Sequence, residues 1–155
     1  MNDIGALYRQ HAPDVYRYAL YLSGQHAEAE DITSETFARV WTSPTPIVMA
    51  TVKGYLFTIA RHLYLRGLRR SSRHDALDDE LHDPRAGPEQ DAESSERLRV
   101  TIAGLQKLPE LSRSAVLMHA VDGMPYEEIA RVLGLTVTAV KVRIHRARFA
   151  LAGGA

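Results

Sequence analysis

Four cations crowd into eight residues near the end of the chain: Lys141, Arg143, Arg146 and Arg148. No acidic residue follows Glu128. Cations at this density suit a polyanion. Contacts to phosphate give affinity, and those that reach base edges give specificity. If all four meet duplex phosphates, log K falls with log salt at a slope of about −3.6. The alternative is a solvated helix face whose basic residues favour the C-terminal end of the helix dipole. A second basic stretch, RHLYLRGLRRSSR over 61–73, holds five arginines and no acid. Tyr55, Phe57 and Tyr64 stand in or beside it. Arginine interleaved with aromatics suits phosphate contact and stacking on exposed bases. For Phe57 and Tyr64, a place in the helix core is the better reading.

Charge of the other sign gathers at Glu28, Asp31 and Glu35, spaced by three and four and so sharing one helix face. Two readings stay open. The acids are simply solvated near a helix N-terminus, where the dipole favours them, or they meet a basic partner surface. Other chemistries find little support. There is no cysteine, which excludes disulfides, thiolate metal sites and a catalytic thiol. The histidines, His11, His26, His62, His74, His82, His119 and His145, form no HxxxH or ExxH pair, so no metal or other cofactor is expected. No nucleophile motif or glycine-rich phosphate loop appears. The chain does not read as an enzyme, and no catalytic residue is assigned.

The elements that must position these groups are all helical. Residues Leu7, Val15, Ala19 and Leu22 mark one apolar face, with Pro13 kinking that helix or opening its second half. A second helix covers about Ala27 to Trp41, with a stripe of Ala29, Ile32, Phe37, Val40 and Trp41. The segment TSPTPIVMA reads as a loop. Thr51 then caps a long helix whose core face is Leu56, Ile59, Ala60, Leu63 and Leu68. Further on, a helix from about Glu96 to Leu108 precedes one capped by Ser112 and stopped at Asp122-Gly123. In PYEEIARVLGLTVTAVKVRIHRARFAL, Ala130 permits a close helix crossing and Gly134 suits a tight positive-φ turn. Leu135 is a buried turn residue, Thr136 caps the last helix, and Val137, Val140, Ile144 and Ala147 face inward. That is the pattern of a helix-turn-helix, whose second helix enters the major groove.

The net charge of +0 conceals a pattern. Residues 1–75 carry nine basic and seven acidic side chains, 76–96 one and eight, and 97–155 nine and four. The middle block has almost no large apolar residue and reads as a flexible acidic linker. The expected fold is therefore all-α: two small helical bundles, 1–75 and 97–155, joined by the linker 76–96, the second containing the helix-turn-helix. Each bundle is near the size at which one core is marginal. No stretch is long and apolar enough to span a membrane, and no signal peptide is visible, so a cytoplasmic location without membrane insertion is expected.

In LYRQHAPDVYRYAL, AEDITSETFARVW, GYLFTIARHLYLRGLRR and LPELSRSAVLMHAVDGMPYEEIARVLGLTVTAVKVRIHRAR, the chain resembles bacterial RNA polymerase sigma factors of the extracytoplasmic-function group. The resemblance covers nearly all of the chain outside the linker. It implies a factor that binds core RNA polymerase and directs promoter-specific initiation. The alternative is a stand-alone helix-turn-helix regulator. By that resemblance, Glu28, Asp31 and Glu35 dock on core polymerase, and the loop Thr42–Thr51 captures a flipped −10 base. Lys53, Arg61, His62, Arg66, Arg69 and Arg70 hold the unwinding −10 DNA. Thr138, Lys141, Val142, His145 and Arg146 face the −35 bases, with Arg143 and Arg148 toward phosphates. The family also implies an anti-sigma partner. His62, Arg66 and Val142 depart from residues common in the family, so no promoter sequence carries over.

Overall fold

The computed structural model describes residues 4–43, 51–74 and 92–153. The loop residues 44–50 and most of the acidic segment, 75–91, lie outside them, so the expected base-capturing loop and the linker's course are not described. All regular structure among the described residues is helical. The order is α1 (Ile4–Ser23), α2 (His26–Thr42), α3 (Val52–His74), α4 (Ala92–Gln106), α5 (Glu110–Val116), α6 (Tyr126–Leu133) and α7 (Val137–Leu151). A π-helical turn, Leu117–Val121, extends α5.

The N-terminal unit packs α1, α2 and α3 on one another. Its buried stripes are Val15, Tyr18, Ala19 and Leu22 on α1, Ala29, Ile32 and Phe37 on α2, and Leu56, Phe57, Ala60 and Tyr64 on α3. Tyr18 stacks on Phe57 with ring centroids 4.7 Å apart. The helical aromatics Phe57 and Tyr64 are core residues. α1 runs through Pro13 as one helix. Thr51 caps α3, its hydroxyl accepting from the Gly54 N–H at 2.9 Å.

Some sequence expectations fail for clear reasons. Trp41 is 67% exposed and outside the core, because it stands one step (about 100°) around α2 from Val40. The inward stripe instead takes in Thr33 and Thr36, whose hydroxyls donate to the carbonyls of Ala29 and Ile32, each at 2.7 Å. Leu68 is exposed, since the buried stripe of α3 ends at Tyr64 and the helix runs on past it. Ser112 is not a cap. Pro109 stands at the N-cap and its carbonyl takes the first helical bond from Arg113, so α5 begins at Glu110 and Ser112 is buried inside it.

In the C-terminal unit α5 and α6 both pack against α7. Gly134 sits at φ 69° and ends α6, and Thr136 accepts from the Ala139 N–H at 3.1 Å to start α7. Leu135 is only partly buried, though it packs on the core. Ile129, Ala130, Leu133, Val140, Ile144 and Ala147 are buried as the turn pattern requires.

The two units also pack on each other. α1 touches α4 and α5, α3 touches α6, and the buried residues of both form one apolar cluster. Two bundles of marginal size thus share a core. α4 begins at Ala92, inside the acidic stretch of the sequence.

Candidate nucleic-acid interface and acidic docking face

Each charged group follows from how its helix is set. The apolar stripe of α7 turns Val140, Ile144 and Ala147 inward. Thr138, Lys141, Val142 and His145 are then left exposed along the outer face at helical spacing, with Arg146 and Arg148 beside them. Val142 is 41% exposed and offers an apolar contact within this polar face. Lys141 Nζ lies 5.5 Å from the centre of the Tyr126 ring, which itself stacks on His119. Arg143 differs from its neighbours. It is half-buried and donates to Ser112 Oγ at 3.2 Å, so its guanidinium braces α7 against α5.

On the N-terminal unit Glu28, Asp31 and Glu35 line one groove of about 720 Å³ between α2 and α3. Arg66 and Arg70 line it from the α3 side. Glu28 sits deepest: burial, then the neighbouring Asp31 charge, pushes its carboxyl above the ordinary value. A Cβ at Gly67 would meet the Glu28 carboxylate at 3.4 Å, about van der Waals contact. Asp31 and Glu35 are exposed, Glu35 pairing with Arg39 at 3.5 Å.

The six basic or imidazole groups expected on α3 divide. His62, Arg66, Arg69 and Arg70 are exposed. Arg61 points at the C-terminal unit, and Lys53 lies between that unit and α1 of its own. Arg61 Nε and Nη2 each lie 2.7 Å from a Glu110 carboxylate oxygen. Lys53 Nζ lies 3.2 Å from Asp14 and 3.6 Å from Asp122, with Arg17 completing the cluster. Burial alone would raise the Glu110 carboxyl, but the Arg61 bond and charge, with Ser114 and Arg113, hold it below the ordinary value. Asp122 goes the other way, pushed up by burial against the pull of Lys53 and Arg17.

Sequence reasoning missed the seam residues. Arg113 is buried and donates to the carbonyls of Leu105, Leu22 and Leu108 and to the Tyr64 hydroxyl, joining both units. Ser114 Oγ donates to Glu110, so Tyr18 must donate to Ser114, at 2.9 Å. Glu128 accepts from Thr51 at 3.1 Å and from Arg131 at 2.9 Å. The available signal was Arg113 between two serines, three residues after Glu110, in a short helix.

Comparison with known proteins decides the family. The sigma-70 region 2 family matches residues 7–74, and the sigma-70 region 4 family matches 100–151. The RNA polymerase sigma factor SigL of Mycobacterium tuberculosis, of the extracytoplasmic-function (ECF) group, is 33% identical over 152 residues, covering 94% of this chain and 85% of that protein. The chain belongs to the ECF sigma factors. The ECF sigma factor SigE of Mycolicibacterium smegmatis is 40% identical over 149 residues, but the chain spans only 57% of its length. Among solved structures, the sigma factor RpoE of Bartonella quintana, in complex with the anti-sigma factor NepR, has the same fold (TM-score 0.79, 24% identity, 99% and 96% of the chains covered). CnrH, in complex with the cytosolic domain of CnrY, aligns at TM-score 0.67 with 26% identity over 97% and 85% of the chains. In this ECF chain, the region 4 match contains the helix-turn-helix and the region 2 match contains the α2–α3 groove with its three acids and three arginines.

Proposed function

We propose that this ECF sigma factor docks on core RNA polymerase through the α2–α3 groove and directs it to promoter DNA, through α3 at the −10 element and α7 at the −35 element. The working division is 1–75 for docking and melting, 76–96 for the tether, and 97–155 for the −35 helix-turn-helix. The observation that carries the polymerase half is the groove itself. Three carboxylates share it with Arg39, Arg66 and Arg70, and Glu28 is held partly desolvated there at a free-energy cost that a basic partner would offset. A stand-alone regulator has no use for such a face.

On α7, Thr138, Lys141, Val142, His145 and Arg146 are placed toward base edges and Arg148 toward phosphate. Val142 can meet a thymine methyl but cannot donate to guanine. On α3, His62, Arg66, Arg69 and Arg70 are exposed for the non-template strand, Arg66 and Arg70 also lining the docking groove, while Lys53 must first leave Asp14 and Asp122 and Arg61 must leave Glu110. The chain acts by binding rather than by catalysis, and it works in the cytoplasm. No helix among the described residues is long and apolar enough to cross a membrane. An anti-sigma partner is part of this reading, in keeping with the neighbour RpoE, which was solved with the anti-sigma factor NepR.

The test is co-elution with sigma-free core polymerase, wild type beside Glu35→Arg. Tight wild-type binding that the charge reversal weakens about tenfold or more supports docking through α2. A folded wild-type chain that does not co-elute, but binds duplex DNA alone, would favour the stand-alone regulator.

A further inference from the structure

We infer that Tyr126, backed by His119, is a positioning residue for base reading: its ring holds the Lys141 ammonium in one place, so that Tyr126 sets specificity without itself touching a base. The inference rests on the proposed reading of α7 as the −35 helix. Three elements meet to build the platform. His119 comes from the π-helical turn after α5, Tyr126 opens α6, and Lys141 stands on the second turn of α7. The His119 and Tyr126 rings stack with centroids 4.7 Å and planes 25° apart, and Lys141 Nζ lies 5.5 Å from the Tyr126 centroid. His119 Nδ1 lies 3.5 Å from the Met124 carbonyl, in the turn that leads into α6. Tyr126 is partly buried and packs on the core. The ring is therefore fixed by the protein, while the Lys141 side chain is exposed.

The kind of partner matters. Two nearby arginines donate to acceptors, Arg131 to the Glu128 carboxylate at 2.9 Å and Arg143 to Ser112 at 3.2 Å. A carboxylate on Lys141 would neutralise it and compete with DNA. A ring face attracts the ammonium through its quadrupole and leaves the full charge in place. A lysine with a free four-carbon stem can follow any nearby phosphate, which adds affinity and discriminates nothing. Held against a ring, it loses less freedom on binding and presents its donors from one place. The acceptors that lysine reads in the major groove are O6 and N7 of guanine. The base assigned to Lys141 is therefore a guanine.

The test selects a preferred duplex from a randomised pool with the full wild-type chain. Binding is then measured for that duplex, for each of its single-base substitutions and for an unrelated duplex. Lys141→Met should abolish the preference for guanine at one position. Tyr126→Leu keeps an apolar group on the core and removes the ring. It should weaken the preference at that same position about threefold, with binding to the unrelated duplex moving less. In Tyr126→Leu/Lys141→Met the tyrosine change should cost no further preference. Tyr126→Phe, which keeps the ring, should recover what Tyr126→Leu loses. In proton NMR spectra of the free chain the ring should shift the Lys141 Hε signals upfield, and Tyr126→Leu should remove that shift. A loss in Tyr126→Leu that is equal for all duplexes, or undiminished in the double variant, makes Tyr126 a packing or phosphate-contacting residue and overturns the inference. A Tyr126→Phe chain as impaired as Tyr126→Leu assigns the effect to the hydroxyl and overturns it as well. If Lys141→Met leaves every base preference intact, the reading of Lys141 at base edges fails, and the inference falls with it. Should Tyr126→Leu misfold by circular dichroism, a phenylalanine with a fully fluorinated ring at position 126 keeps the shape and reverses the charge pattern of the ring face. That chain must lose the preference; retention overturns the proposal.

Discussion

Arg61 and Glu110, 49 residues apart in sequence, meet in a two-pronged ion pair with both nitrogen–oxygen distances at 2.7 Å. Their side chains are 13% and 18% exposed. The pair stands at the end of a hydrogen-bonded chain that runs from Tyr18 through Ser114 to Glu110. Burial pushes the Tyr18 hydroxyl far above its ordinary value, so it stays neutral and donates at any working pH.

This pair gives the seam an acid limit. The Glu110 carboxyl lies below its ordinary 4.5 in the folded chain. Its stabilisation is complete above 4.5 and is lost as pH falls through the lowered value. Asp122, raised above its ordinary 3.8, has the opposite sign and favours the folded chain most when protonated. Thermal melts between about pH 3 and 6 should therefore show a flatter acid-side slope for Glu110→Gln than for wild type. An unchanged slope would remove the pair from the stability balance.

Arg113→Met should be the most damaging single change in the seam. It leaves the buried carbonyls of Leu22, Leu105 and Leu108 without the donor they share. The expected loss is about 3 kcal/mol, a fall in Tm of roughly 6–12 °C for a chain of this size. A Tm within 2 °C of wild type, taking about 2 °C as the error of the melt, would mean that water replaces the guanidinium at little cost.

Salt dependence should distinguish the cations of α7. With Arg143 committed to Ser112, no more than three cations remain for duplex phosphates, and the slope of log K against log salt is at its steepest about −2.7 rather than −3.6. Arg148→Ala should reduce the slope by about 0.9, whereas Arg143→Ala should lower stability and leave the slope unchanged. Titrations of a duplex oligonucleotide at several salt concentrations read both.

Thr136→Ala should cost about 1 kcal/mol by removing the acceptor for the Ala139 N–H, and Thr136→Ser should cost almost nothing. The urea midpoint reports each. Because the cap fixes where α7 starts, the alanine variant should also weaken duplex binding.

The helices were legible because their signals are local. Apolar spacing, Thr51, Gly134 and Thr136 each act within a turn or two, and each does what its type suggests. The outward faces of α2 and α7 followed from the inward ones. The seam was not legible, because its logic is tertiary. Nothing near Arg61 in sequence marks it as paired with Glu110. Gly54 is crowded locally by the Thr51 hydroxyl, but more tightly by Glu128, which approaches from another helix. Trp41 misled for a similar cause: hydrophobicity placed it inside, while the rotation set by Ala29, Ile32 and Phe37 turned it out.

The shared core has a bearing on turnover. If the units part, apolar side chains that now form one cluster lose part of their cover and meet water. An open chain not yet covered by polymerase is then the form that proteases and chaperones recognise, while the closed chain hides those same surfaces. Parting should therefore be brief and coupled to capture, and the lifetime of the free chain in the cell should follow the fraction of time that its two halves spend apart.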